Sequence, residues 1–265
     1  MKIDPSHLVP ANYFTGTYPI EIDLAYANPD HPDNHFKCLY SSESKILWTH
    51  KELAKLVLVA SIITHKLWGW KLRLYDSLRP VEAQKKMQEF GYDGLLVSAP
   101  GKGAHPRALA IDLAPIDQNG LLVNMGTRFD HFSSNPKEYN PAARNFTEFS
   151  GELGGNYTIW HNRSKLDFAI QTAANLTDFD LLPLPQEWWD FRAKPEFFEK
   201  FAPLSENDLL PCQRLISPDV SKMQEILMGI FPARIQESIN EVASSCEKFT
   251  QKINLEYDYY TKSNS

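Results

Sequence analysis

Cysteine is scarce: Cys38, Cys212 and Cys246 are the three in 265 residues, and they lie far apart. That excludes a disulfide framework and a Cys-x-x-Cys metal clip, so free thiols in a reducing compartment are expected. Glycine is low as well, at 12 residues, which excludes a collagen-like repeat. Basic residues are outnumbered, 27 Lys and Arg against 33 Asp and Glu, for a net charge of −6. A general nucleic-acid binder would carry a basic footprint, so no nucleic-acid partner is expected. No run reaches the roughly 18 apolar residues of a membrane span. Met1 to Pro10 holds no basic stretch leading into an apolar one, so no secretory signal is read and a cytoplasmic place is expected.

What is present is 43% hydrophobic and 12% aromatic residues, enough to build a core and too many for a disordered chain. Ile20, Ile22 and Leu24 alternate with polar residues and predict a short strand, followed by turn chemistry at 28–34. Thr49 with Glu52 reads as a capping box opening a helix over 49–68. Leu53, Leu56, Val57, Ala60 and Ile63 supply its apolar face and Gly69 its stop. Leu72 to Tyr75 predicts a strand. Pro80 begins a second helix over 80–90, with Ala83, Met87 and Phe90 inward and Gly91 at its end. Residues 91–107, with four Gly and two Pro, read as a loop. From Ala108 to Ala114 the chain alternates, and Asp112 shares its face with three alanines, which leaves open volume around that carboxylate. Residues 120–160 read as surface loops, 164–175 as a helix, and Glu187–Phe191 as a short aromatic strand. Ile235, Ile239, Val242, Cys246, Phe249 and Ile253 form a heptad-like seam near the end. Such a seam packs either on its own domain or on a second copy, which makes a homodimer through this helix an open possibility.

Three segments can carry chemistry together: Tyr75-Asp-Ser-Leu-Arg-Pro80, His105 to Asp112, and Glu187-Trp-Trp-Asp190. Singly, each has an ordinary explanation, as a solvated His, a capping Asp or an amphipathic edge strand. Jointly they fit a zinc hydrolase. A catalytic zinc takes about three ligands from His, Asp, Glu or Cys and leaves a position for water. His105 and Asp112 offer a nitrogen and an oxygen, and Asp190 is the candidate third ligand. Glu187 could take a proton from the water, and Arg79 could hold the oxyanion formed at the attacked carbonyl.

In this order the segments resemble the VanX-type D-alanyl-D-alanine dipeptidases, zinc peptidases of the D,D-carboxypeptidase and hedgehog-like superfamily. That family's Tyr-Arg-Pro segment is matched by Leu78-Arg79-Pro80, its Ser-x-His-x-x-Gly-x-Ala-x-Asp by Gly103 to Asp112, and its Glu-Trp-Trp-His by Glu187 to Asp190. Met125 to Asp130 resembles its Met-Gly-x-x-Phe-Asp segment, and Leu24 to Ala27 its Leu-x-Tyr-Ala segment. The likeness covers about residues 15–200.

The resemblance implies an α+β fold: a small antiparallel sheet packed with helices over 1–202, here followed by a C-terminal helical extension over 203–265. It implies His105 and Asp112 as zinc ligands, Glu187 as general base and Arg79 as stabiliser of the tetrahedral intermediate. Asp130 and Tyr26 match groups that hold the free ammonium of a small dipeptide. The implied function is hydrolysis of D-alanyl-D-alanine or a similar D-amino-acid dipeptide. The alternative is a catalytically weak or inactive relative that binds cell-wall fragments or a protein partner.

Two departures stand out. Asp190 replaces the family's third ligand, a His; His131 or His161 would be substitutes. One imidazole with two carboxylates should raise the pKa of water on the metal and shift preference from Zn2+ toward a harder ion such as Mn2+. A regular strand would also point Glu187 and Asp190 to opposite faces, so the strand must start late, bend or bulge. In the loop, Gly103 and Ala104 stand where the family has a hydroxyl, and Ala108 replaces a Gly.

Overall fold

Strand β4 (Lys71–Asp76) lies inside a five-stranded sheet on which all three segments singled out above end or begin. A computed structural model of the chain describes residues 1–37, 39–90, 97–133, 137–146, 148 and 155–263. Cys38 and Gly91 lie outside them. β4 pairs antiparallel with β5 (Ala110–Ile116), β5 with β7 (Asp190–Ala193), and β7 with β6 (Leu181–Pro183). On the other edge, β2 (Ile20–Ile22) joins β4 in parallel, so the strand order is β2-β4-β5-β7-β6. A separate two-stranded ladder joins β1 (Leu8–Pro10) to β3 (Trp48–His50). With helices packed against this sheet, the architecture is the expected α+β class.

Helix α1 (Lys51–Trp68) packs against β4 and also against α3 (Gly155–Thr177) and α6 (Ala233–Ser263). Its apolar face, Leu53, Leu56, Val57, Ala60 and Ile63, is buried as the spacing requires. Gly69 ends it in the left-handed conformation, φ 71°, with its N–H on the His65 carbonyl at 2.9 Å. The start differs from the expected capping box. Thr49 is held in β3 opposite Val9, and its hydroxyl accepts from Ser77 at 2.9 Å. His50 caps the helix instead, its Nδ1 accepting from the Glu52 N–H.

Helix α2 (Val81–Glu89) has Pro80 as its cap rather than as its first residue. Ala83 and Met87 are buried, but Phe90 lies past the last turn and is 49% exposed, edge-on to Phe36. α3 begins earlier than the sequence pattern indicated, at Gly155.

The terminal helix α6 uses its seam within the same chain. Ile235, Ile239, Val242 and Cys246 are fully buried, and Phe249 and Ile253 pack against the same core. Residues beyond 203 join that core earlier too, through Leu204, Leu209, Cys212 and Leu215. Cys212 and Cys246 are buried free thiols. Among the described residues, no helix is long and apolar enough to cross a membrane.

Candidate metal centre

Three aspartates stand in a row across three strands. Asp76 pairs with Asp112, and Asp112 pairs with Asp190. A register shift between Leu74 and Asp76 lets this happen, for without it β4 would continue its alternation and turn Asp76 away from Asp112. Asp76, Asp112 and Asp190 are all at most 2% exposed, so a row of like charges sits in a poorly solvated place. Such a row needs cations to balance it.

The two ends of the row are balanced by the protein. Arg79 Nε donates to Asp76 Oδ2 at 2.8 Å, and Tyr40 donates to Asp76 Oδ1 at 2.7 Å. At the other end Arg192 forks onto both oxygens of Asp190, with Nε on Oδ1 at 2.7 Å and Nη2 on Oδ2. Asp112 in the middle is served on one side only. Its Oδ2 accepts from Arg79 Nη2 at 3.2 Å, while Oδ1 is buried without a hydrogen-bond partner. A buried carboxylate oxygen left unpaired is a place that a cation would suit.

His105 faces that place. It opens a short 3-10 turn, His105–Arg107, whose loop is fixed by Arg107 donating to the carbonyls of Gly101, Gly103 and Phe201. The Arg79 N–H donates to the His105 carbonyl at 3.1 Å, which ties the two functional segments together. The ring Nδ1 lies 2.9 Å from the Ser77 carbonyl. A carbonyl can only accept, so Nδ1 carries the proton and Nε2 turns inward. Nε2 is 3.3 Å from Asp190 Oδ2 and 3.5 Å from Asp112 Oδ2. Backbone anchoring of one imidazole nitrogen is how a metal-ligating His is commonly oriented.

Glu187 completes the arrangement. β7 starts at Asp190, and Glu187 lies in the turn before it, so the two acidic groups escape the alternation of a regular strand. Carboxylate oxygens of Asp112, Glu187 and Asp190 lie within 4.8 Å of one another, as do donor atoms of Asp76, His105 and Asp112. The turn is held by the Trp188 N–H on the Ala142 carbonyl and by Trp188 Nε1 on Thr127. Burial, and then the charges of Asp190 and Asp112, push the Glu187 carboxyl up to about 8. Burial also raises Asp190, but the Arg192 fork outweighs it and holds that carboxyl well below the usual range. Burial and Arg79 push His105 down, while Asp112 and Asp190 push it up further, to a net of about 9. A metal at Nε2 must therefore displace a proton.

On the adjoining wall, Tyr26 donates to Asp130 at 2.8 Å, and the Arg79 guanidinium lies 5.4 Å from the Tyr26 ring centroid. Asp130 adopts a left-handed backbone, φ 57°, and burial followed by the Asp112 charge raises its carboxyl strongly. Tyr26, Arg79, His105, Asp112, Asp130, Glu187 and Asp190 all line one cavity of about 450 Å3. His131 and His161 are exposed and do not line it.

Sequence reasoning missed three groups in this centre. Asp76 carried a signal, three residues before Arg79 in the same segment. Arg192 carried one too, since a residue two beyond Asp190 in a strand shares its face. Tyr40 had none, because a loop phenol is brought here only by tertiary packing.

Over 173 residues the chain is 30% identical to the D-alanyl-D-alanine dipeptidase of Escherichia coli strain K12, a stretch that covers 65% of this chain and 78% of that protein. No protein-family model matches the chain.

Proposed function

The chain belongs to the D-alanyl-D-alanine dipeptidase family, and from that premise we propose that it hydrolyses D-alanyl-D-alanine or a similar D-amino-acid dipeptide with the help of one divalent metal, zinc first. The observation that carries this reading is the approach of His105 Nε2 to Asp190 Oδ2 at 3.3 Å and to Asp112 Oδ2 at 3.5 Å, beside the unpartnered Asp112 Oδ1. These donors fit a small dication: one imidazole nitrogen already turned inward, and carboxylate oxygens that lack a full set of partners. When bound, the metal supplies Lewis acidity, which polarises the scissile carbonyl and acidifies the attacking water.

The protein's own groups then do the rest. Glu187 takes a proton from the water at its carboxylate and returns it to the leaving amine nitrogen. Burial raises that carboxyl above its ordinary range, and a dication beside it would draw it back down, toward the neutral pH at which such an exchange is most effective. Arg79, fixed by Asp76, presents its guanidinium to the developing oxyanion. Asp130, with Tyr26 bonded to it, receives the free ammonium of the dipeptide. An ammonium there gives the buried Asp130 the counter-ion that its burial calls for. A cytoplasmic setting and a homodimer through the C-terminal helix belong to this proposal, the helix meeting its copy on a face other than the seam that packs on its own chain.

A second reading is favoured by one observation. Arg192 already bonds each oxygen of Asp190 once, as it would in a relative that binds cell-wall fragments without turnover. Purified protein separates the two readings: bound zinc together with dipeptide hydrolysis supports the enzyme. Glu187→Ala should then lose at least a hundredfold in turnover while retaining metal, because general-base groups contribute ~10²–10⁴-fold.

A further inference from the structure

Asp190 and Arg192 are a matched pair. They occupy positions one and three of β7 and so project from the same face. Asp190 is buried, Arg192 is 13% exposed, and the guanidinium approaches the carboxylate through two nitrogens. The fork uses one lone pair on each oxygen, and every carboxylate oxygen has two. Oδ2 therefore keeps a lone pair for the centre, where His105 Nε2 stands 3.3 Å away.

Charge explains why the pair is needed. Asp190 is the third carboxylate in the row with Asp76 and Asp112. Arg79 is held closest by Asp76 and reaches Asp112 at 3.2 Å, and the two carboxylates nearest His105 Nε2 are Asp112 and Asp190. With Arg192 counted, His105, Asp112 and the Asp190–Arg192 pair sum to one negative charge when the imidazole is neutral. A neutral imidazole in place of the pair would give the same sum.

We propose that Asp190 and Arg192 act as one neutral unit at the third ligand position, with Arg192 as a positioning residue that aims Asp190 and cancels the charge it brings. The inference rests on the metal-dependent reading above. Substituting either residue alone upsets the balance, and substituting both restores it.

Zinc affinity of the full chain, measured by competition with a chromophoric chelator, tests this in four proteins: native, Asp190→His, Arg192→Met and the double variant. Asp190→His alone should bind zinc at least tenfold more weakly than native, because an unmatched guanidinium then faces the dication. Arg192→Met should help zinc binding at least tenfold more in the Asp190→His background than in the native one. A merely structural role would move both backgrounds alike, so equal effects within about threefold overturn the proposal, as does an Asp190→His protein that binds zinc more tightly than native. If Asp190→His fails to fold by circular dichroism, the isosteric Asp190→Asn replaces it under the same criteria. Absence of zinc uptake by the native protein overturns the metal reading itself, whereas uptake with uncoupled variants overturns only the pairing.

Discussion

Asp112 and Asp190 are direct partners in the β5–β7 ladder, two buried carboxylates side by side on one face of the sheet. Like charges placed opposite each other in a ladder are destabilising. The fold therefore carries an electrostatic load at its centre, which is common where binding groups are held ready for a ligand.

The load can be measured at Asp112, whose Oδ1 has no partner. Asp112→Asn keeps the shape and removes one of the charges. In chelator-treated protein it should raise the melting temperature by a few degrees, corresponding to about 1 kcal/mol for a chain of this size. The same variant should lose the stabilisation that added zinc gives the native protein. Thermal melts with and without zinc check both halves, and a metal-free variant less stable than native would contradict the first.

The amine end of the pocket has its own signature. Asp130 and Tyr26 are bonded to each other and face the cavity, and no arginine or lysine pairs with Asp130 among the hydrogen bonds and ion pairs of the described residues. Asp130→Asn should raise KM for a free dipeptide by ten- to a hundredfold, on the order of 1–3 kcal/mol for a lost charge-assisted contact. An N-acetylated dipeptide lacks the ammonium and should be a poor substrate for native protein. Its disadvantage should shrink in Asp130→Asn; an unchanged ratio of kcat/KM values would place the ammonium elsewhere.

Much of this arrangement could be read from the letters, and the reasons differ residue by residue. Leu109, Ile111 and Leu113 alternate with Ala110 and Asp112, and a period of two suffices to put Asp112 on the small-residue face. α1 was legible because its apolar positions recur at helical spacing, yet its cap was not. Thr49 has the right chemistry, but pairing with Val9 and the Ser77 hydroxyl claim it for the strand. The late start of β7 was legible only as a condition, since a turn at Glu187 depends on Ala142 and Thr127, which lie distant in sequence. The Asp76 register shift had no local mark at all. Ala108, where the resembling family has Gly, sits at φ 53°, so the backbone explains the family's preference even though this chain tolerates a methyl there.

The division near residue 202 expected from the sequence can be tested by thermodynamics. Ile235, Ile239, Val242 and Cys246 are fully buried in the same core as α1 and the strands. At ~1.5–3 kcal/mol for each large apolar side chain buried, these residues contribute an amount comparable to the whole stability of a typical domain. A chain ending at 202 should therefore fail to give a cooperative melt. Ile239→Asp in the full chain should lower stability by at least about 3 kcal/mol, because it places an unpaired charge in that core. A truncated protein with a sharp unfolding transition would make the first 202 residues an independent unit.

The acid sensitivity of the fold should trace to His50, a residue outside the carboxylate row. His50 is 7% exposed and caps α1 through Nδ1, a role that requires an unprotonated nitrogen. Burial first, then the neighbouring His7, Lys51 and Lys55, depress its pKa to about 3 from an ordinary 6.5. A histidine whose folded pKa lies below its unfolded value binds fewer protons when folded, so folding is favoured as pH rises across the interval. Its contribution is complete above about pH 6.5 and is lost as pH falls from there toward 3. Between pH 7 and 5 the loss from this residue is on the order of 2 kcal/mol. His50→Asn keeps a capping acceptor and cannot titrate. It should be less stable than native at pH 7, from lost packing, but its stability should fall less steeply toward pH 5. Urea midpoints of the two proteins across that range decide the matter, and parallel curves would mean that protonation of other groups sets the acid limit.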